Sequence, residues 1–427
     1  MQIHLQTLGC RLNEAELELW ANGFRRHGHR LANRAEDADV LVVNTCAVTA
    51  DAVRKSRHLI RKTHRQNPRA KLVVSGCHAA LSPETVRGEL GADLVVGNQD
   101  KDRLVEIAIE ALDLPTMPEA ATEPAETSLF QRGRQRAFVK VQDGCRYRCT
   151  YCIVTVARGG ERSRPVAEVV AEVNRLHQQG LREIVITGVQ VGGYGHGLGE
   201  TLSGLIRTVL EDTDMPRIRL GSVEPWSVED DLMALFANPR FLPHLHLPLQ
   251  SGSDAVLRRM ARRTRVADYR ALADRLRAAA PGFNLTSDII VGFPGETETE
   301  WRQTLATVRA IGFGHLHIFS YSDREGTKAA RLPDKIPGLV KKQRSQTLHK
   351  LAAERKRDLL LSQRGASAAV LFERPDAPRE GRKRWFGYTP NFLRVGLDRP
   401  EMENLENRVL EVKLRDVEED LLVAESP

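Results

Sequence analysis

The chain has 427 residues, of which 41% are hydrophobic and 28% charged, and a formal net charge of +7. That balance fits two or three folded domains with ample core and excludes an intrinsically disordered protein. The opening MQIHLQTLGC has no basic region followed by an apolar one, and no run approaches the roughly 18 apolar residues of a membrane span, so a cytoplasmic location is expected, with no membrane partner.

Residues 1–113 alternate the strand-like runs IHLQTLG, VLVVNT and KLVVSG with amphipathic stretches at 14–26 and 51–65, a βαβαβ pattern that predicts an α/β fold with a doubly wound parallel sheet. Cys10, Cys46 and Cys77 each follow the C-terminal end of a predicted strand. Those ends share one edge of a parallel sheet, so residues far apart in sequence can converge there. Each cysteine stands in a polar or glycine-containing turn (TLGCRLN, NTCAVT, SGCHAA), which favours a shared ligand role over that of a small buried core residue. In a reducing cytosol, cysteines read as metal-binding or catalytic rather than disulfide-bonded.

Residues 114–135, with three prolines and no amphipathic period, read as a linker. The alternation resumes over 136–337, where AFVKVQD, EIVITG, RIRLGS, HLHLPLQ, LTSDIIVG and HLHIFS are separated by helical stretches. A partial (β/α)6 barrel is predicted, with its chemistry at the C-terminal strand ends. Residues 338–365 carry eight positive and two negative side chains and form a basic helical connector, either a phosphate-facing surface or an ordinary solvated face. Residues 366–427 hold short β-like runs separated by turn residues and predict a small antiparallel β-barrel. Its positive charge gathers at Arg379, Arg382, Lys383 and Arg384. Trp385, Phe386, Tyr388 and Phe392 interleave with Lys383, Arg384 and Arg394, a mixture suited to stacking on bases while neutralising phosphates, although at least two of the aromatics are expected to fill the barrel core.

The most specific signal is the run of Cys145, Cys149 and Cys152, C-x-x-x-C-x-x-C, with Tyr151 before the last cysteine. Three thiolates at this spacing can hold three irons of a cubane and leave the fourth open, whereas a zinc site would need a fourth ligand nearby. Gly188, Ser222, Glu224, Gln250 and Asp288 lie at or near predicted strand ends and are candidate cofactor contacts. Arg158, Arg162 and Arg164, with Glu161, follow the cysteine loop and either guide an anionic substrate or organise the loop. No P-loop is present, and no G-x-G-x-x-G opens a helix.

The C-x-x-x-C-x-aromatic-C run resembles the signature of radical S-adenosylmethionine enzymes. With three upstream cysteines and a terminal barrel, the whole chain outside the linker resembles the methylthiotransferases. The resemblance implies two [4Fe-4S] clusters, one on Cys145, Cys149 and Cys152 and an auxiliary one on Cys10, Cys46 and Cys77. It further implies S-adenosyl-L-methionine chelated to the open iron of the first and cleaved to a 5′-deoxyadenosyl radical, with Tyr151, Gly188, Ser222, Glu224, Gln250 and Asp288 around it. The terminal barrel would be an RNA-binding TRAM domain whose Lys383, Arg384, Tyr388 and Arg394 meet the tRNA anticodon stem-loop. A reducing electron donor and a sulfur donor are implied as partners.

The phrases from Thr7 to Asn13, Ala157-Arg158-Gly159 and Gly387 to Val395 look like the MtaB-type branch, which methylthiolates N6-threonylcarbamoyladenosine at tRNA position 37. Arg11 and Leu12 depart from the G-C-Q-M-N of the branch acting on isopentenyladenosine and from the G-C-P-K-N of the branch acting on a ribosomal-protein aspartate. Those substrates, and a non-catalytic iron–sulfur RNA-binding protein, are the alternatives. The adenine C2 position has no acidic proton and no leaving group, so general acid–base catalysis alone would not functionalise it.

Overall fold

The structure is a computed structural model that describes residues 1–117, 135–378 and 380–425; most of the expected linker, and Arg379, lie outside these. Val40–Thr45 (β3) is buried at every residue, as a strand covered on both faces should be. It is the middle strand of a five-stranded parallel sheet with Gln2–Thr7 (β1), Arg30–Leu31 (β2), Lys71–Gly76 (β4) and Leu94–Val96 (β5), ordered β2-β1-β3-β4-β5. Helix Arg11–Arg26 (α1) buries Leu17, Trp20 and Phe24 on one face of the sheet, while Ala50–Gln66 (α2) places Ile60 on the other. Strand order reverses between β1 and β3, and a crevice opens outside the strand ends at such a switch point. Cys10 and Cys46 follow β1 and β3 there, and Cys77 follows β4 as the first residue of helix Cys77–Leu81 (α3).

Arg136–Lys140 (β6) then opens the second parallel unit. An antiparallel ribbon of Gln142–Asp143 (β7) and Arg162–Ser163 (β8) brackets the Cys145 loop. Glu183–Thr187 (β9) pairs with β6 and with Arg217–Leu220 (β10), and His244–His246 (β11), Asn284–Val291 (β12) and His315–Ser320 (β13) form a second ladder. Single bridges, Ile218 to Phe241 and Ser222 to His246, join the two halves. The result is the expected partial barrel, six strands in the order β6-β9-β10-β11-β12-β13 around buried Val139, Ile184, Leu220, Leu245 and Leu285. Its open edges are covered: α1 packs on β6, and helix Gly338–Ser362 packs on β13.

That helix is less free than its charge count suggests. Leu348 and Leu351 enter the core of the partial barrel and Leu360 that of the terminal barrel. Arg344 binds Glu296 at 2.7 Å, Lys356 binds Asp420 at 2.6 Å, and Arg355 binds Asp358 at 2.9 Å. Exposed Lys342, Lys350 and Arg357, spaced to share one helix face, make no ion pair or hydrogen bond among the described residues.

Ser367–Pro375 (β14), Arg382–Tyr388 (β15), Arg394–Pro400 (β16), Val409–Glu418 (β17) and Leu421–Glu425 (β18) close into a barrel ordered β14-β15-β16-β18-β17. It is not wholly antiparallel as expected. Five strands cannot alternate in direction around a closed ring, and β16 with β18 is the parallel pair. Of the four aromatics singled out in sequence only Trp385 joins the buried core, where at least two were expected.

Candidate active site

The three upstream cysteines converge because their turns are cross-linked. Gly9 has φ +123°, and a side chain there would place its Cβ 2.7 Å from Cys46 Cβ, so glycine permits the Cys10 turn to approach the Cys46 turn. The Asn13 amide donates to the carbonyls of Leu8 (2.8 Å) and Thr45 (3.1 Å), joining the same two turns. Thr45 Oγ1 donates to Ser75 O and accepts from Ala79 N–H, which ties in α3 and Cys77. Ser56 of α2 accepts from Cys46 N–H at 3.0 Å and donates to Cys46 O at 2.9 Å. Cys10 donates to Asn13 Oδ1 at 3.6 Å. Burial pushes the Cys46 thiol up, and the other two cysteines add to that shift, as thiols sharing one site should.

The second cysteine group is held by its own loop. Gly144 has φ +72°, and any side chain there would collide with the Gly160 carbonyl; next to it Cys145 N–H donates to Gly159 O at 3.1 Å, closing the loop. Burial pushes the Cys145 thiol up to about 11 and that of Cys152 to about 12, so a bound metal would displace their protons. Tyr151 packs against Val256, Met260 and Phe293. Arg262 grips Glu224 through two contacts of 2.9 and 2.6 Å and lies 4.8 Å from the Trp226 ring, whose N–H donates to Tyr147 Oη at 3.2 Å. Gln250, at φ +75°, is fixed by backbone bonds to Asp288 and Ile290. The Gln190 side-chain amide is buried with neither polar atom hydrogen-bonded among the described residues, which leaves a donor and an acceptor for a bound molecule.

Arg158 connects the two groups. It is 2% exposed and donates to Glu16 at 2.8 Å, Asp143 at 2.9 Å and Asn13 Oδ1 at 2.8 Å. Lys101 reaches Glu16 at 2.5 Å, and Lys140 reaches Asp143 at 2.9 Å. Burial works to raise the Glu16 carboxyl, but Arg158, Lys101 and Lys140 outweigh it and hold it well below the usual range. Of the two roles open to Arg158 in sequence, the structure supports loop organisation.

A cavity of about 830 Å³ lies between the units. Cys10, Cys46 and Cys77 form part of its wall, as do Gly188, Ser222 and Asp288 from the strand ends and Tyr388 and Arg394 from the terminal barrel. Cys145, Cys149, Cys152, Tyr151, Glu224, Gln250, Lys383 and Arg384 are not on that wall. Arg384 is instead spent on Asp398 (2.8 Å) and Glu418 (2.5 Å). His246, Asp288 and His317 bring three ligand-type atoms within 4.8 Å of one another, the only such trio among the described residues. Neither cysteine triad is that tight, whereas sulfurs around one tetrahedral zinc, about 2.3 Å from the metal, would lie about 3.8 Å apart. Sequence reasoning missed His317; the alternation in HLHIFS was the available signal, and the register that sets His317 opposite Asp288 comes only with the fold.

The terminal barrel is locked to this cavity. Arg217 donates to Tyr388 O at 3.1 Å and Arg219 to Pro390 O at 2.7 Å, and both pair with buried Glu183 at 2.8 and 2.9 Å. Burial raises the Glu183 carboxyl, but Arg219, Arg217 and Arg136 outweigh it and bring it to about 2. Arg219 itself is pushed down to about 10, since burial costs it more than its share of one carboxylate returns. Phe392, at φ +64°, stacks on Tyr388 with centroids 4.8 Å apart and an interplanar angle of 17°. Arg136 lies 4.4 Å from the Tyr388 ring.

Comparison with known proteins decides the family. A profile described as Radical SAM superfamily matches residues 139–308, and one described as Uncharacterized protein family UPF0004 matches residues 2–97. The chain is 32% identical over 422 residues to the threonylcarbamoyladenosine tRNA methylthiotransferase MtaB of Bacillus subtilis, covering 96% of this chain and 93% of that one. This chain belongs to the radical S-adenosylmethionine methylthiotransferase family. Family membership makes it an enzyme that uses S-adenosylmethionine and a [4Fe-4S] cluster. A tRNA-2-methylthio-N(6)-dimethylallyladenosine synthase of Cereibacter sphaeroides is 36% identical over 384 residues, covering 87% of each chain, so overall identity does not separate the two branches. In fold, the methyltransferase TsrM from Kitasatospora setae superposes with a TM-score of 0.58 at 16% identity, covering 77% of both chains.

Proposed function

We propose that this enzyme attaches a methylthio group to C2 of N6-threonylcarbamoyladenosine at position 37 of tRNA. The observation that carries the reading is the single cavity faced by Cys10, Cys46 and Cys77 on one wall and by barrel strand ends on another. Cys145, Cys149 and Cys152 would hold one [4Fe-4S] cluster, with Tyr151, Gln190 and the Glu224–Arg262 pair near the S-adenosylmethionine; Cys10, Cys46 and Cys77 would hold the auxiliary cluster. When bound, these groups supply radical hydrogen abstraction and sulfur, fed by a reducing electron donor and a sulfur donor.

The chain's own residues position and select. Arg158 keeps the two cysteine sites at a fixed separation, and Tyr388 with Phe392 offers an aromatic shelf for a base. Lys342, Lys350 and Arg357 present charge to phosphates, with Lys383 and the rest of 366–427 acting as a TRAM domain. The division that goes with this reading is 1–113, 136–337, 338–365 and 366–427, and a tRNA substrate would fit a cytoplasmic enzyme.

Nucleoside mass spectrometry of tRNA from a deletion strain, complemented with wild type or Cys46→Ala, tests the reading. The methylthio form of threonylcarbamoyladenosine should vanish on deletion and return only with wild type. Unchanged content after deletion sinks the reading, and loss of the dimethylallyl counterpart instead would assign the sister substrate.

A further inference from the structure

Six cationic side chains stand on the cavity wall: Arg11, Arg136, Arg158, Arg219, Lys356 and Arg394. Four of them hold carboxylates, Arg136 that of Glu373 at 2.7 Å, Arg158 those of Glu16 and Asp143, Arg219 that of Glu183 and Lys356 that of Asp420. Arg394 is exposed and stacks 4.2 Å from the Phe386 ring. Arg11 differs from all of these. It is half-buried, and its guanidinium makes no hydrogen bond or ion pair among the described residues. Only rings hold it, Phe392 at 5.7 Å and Phe138 at 5.9 Å from their centroids. Glu14 and Glu183 attract it only from beyond ion-pair distance, while burial and Arg136 work against its charge, so an anion entering the cavity would meet a guanidinium that has no contact partner.

Arg11 also directly follows Cys10 and touches Phe392, so it sits between the upstream cysteine group and the aromatic shelf. The two substituents at issue differ in charge. A threonylcarbamoyl group ends in a free carboxylate, while a dimethylallyl group is a hydrocarbon that would leave Arg11 unpaired. We propose that Arg11 is the specificity-determining residue, pairing with the carboxylate of the N6 substituent and so selecting an acidic modified adenosine over an apolar one. This rests on the methylthiotransferase reading given above.

The test uses the full chain with its clusters reconstituted and anticodon stem-loop RNAs carrying N6-threonylcarbamoyladenosine, its threonine-amide analogue or the N6-dimethylallyl base. Binding is read by fluorescence anisotropy. Wild type should bind the acid roughly 10- to 100-fold more tightly than the amide, the range for a hydrogen-bonded charge. Arg11→Gln should lower the affinity for the acid to that for the amide, and Arg11→Lys should keep part of the preference. Iron content and amide-RNA binding show that the variants are folded. Full preference retained in Arg11→Gln overturns the assignment, as does a wild type with no preference. Product analysis of the same RNAs separates the two readings: wild type that methylthiolates the acid and amide RNAs equally refutes the role of Arg11 alone, while wild type that converts only the dimethylallyl RNA overturns the substrate reading and this inference with it.

Discussion

Arg158 and Glu16, 142 residues apart in sequence, meet at 2.8 Å with both side chains almost wholly buried. The same guanidinium holds Asp143, two residues before Cys145, and Asn13, three residues after Cys10. Arg158 therefore ties the two cysteine turns together, with Lys140 reaching the same two carboxylates at 3.7 and 2.9 Å.

Removing it should be expensive. Arg158→Met is expected to destabilise the protein by about 3–5 kcal/mol, the cost of breaking a buried pair from one side. Arg158→Lys, which keeps the charge but loses the planar fork, should fall between. Urea unfolding followed by circular dichroism measures both, and a wild-type midpoint for Arg158→Met would refute the role.

The terminal barrel should come away from the cavity in acid. Glu183 titrates at about 2 in the folded protein against an ordinary value of 4.5. A carboxyl depressed on folding contributes stability that is complete above about 4.5 and is lost as pH falls toward 2. Hydrogen-exchange protection of Tyr388, Thr389 and residues 391–393, referred to the intrinsic rate at each pH, should therefore fall across that window, and Glu183→Gln should lower it at neutral pH. Unchanged protection in Glu183→Gln would show that the arginines hold the turn without their carboxylate.

The two cysteine groups should load independently. Cys46→Ala and Cys149→Ala are each expected to lose about four of about eight irons. Cys46→Ala should still cleave S-adenosylmethionine reductively, and Cys149→Ala should not. If either single substitution emptied both sites, two separate clusters would be the wrong description.

Phosphate contacts should follow unspent charge rather than total charge. Replacing Lys342, Lys350 and Arg357 with alanine is expected to flatten the salt dependence of stem-loop binding by about one unit of slope per lost phosphate contact. Arg384→Ala should barely change that slope, because Asp398 and Glu418 already neutralise Arg384. Filter binding across a salt series distinguishes the two, and equal effects would show that these internal pairs open on RNA.

The placement of Cys10, Cys46 and Cys77 was legible because parallel strands end on one edge, a rule that needs only strand order. The loop of Cys145, Cys149 and Cys152 stood out by spacing alone. The charges were not. Which arginine on the basic helix is spent internally, and which on the cavity wall is left unpaired, depends on contacts between units that no local pattern records. Arg344 and Arg11 look alike in sequence, yet Glu296 pairs with the first at 2.7 Å while no carboxylate among the described residues reaches the second within ion-pair distance. The inward turn of Tyr388 and Phe392 was hidden for the same reason, since it depends on Arg217 and Arg219 from β10 reaching the backbone of residues 388–390.

The locked turn carries a demand on any RNA substrate. With Tyr388 and Phe392 pinned as a wall beside the Cys10 turn, a base that reaches the strand ends must lie against this aromatic pair, inside a cavity of about 830 Å³. A target adenosine would have to swing out of its stack and enter alone. Extrusion costs a few kcal/mol, least where a base is already unpaired in a loop. The enzyme's preference for a loop nucleotide would then begin with the shape of its entrance, before any base edge is read.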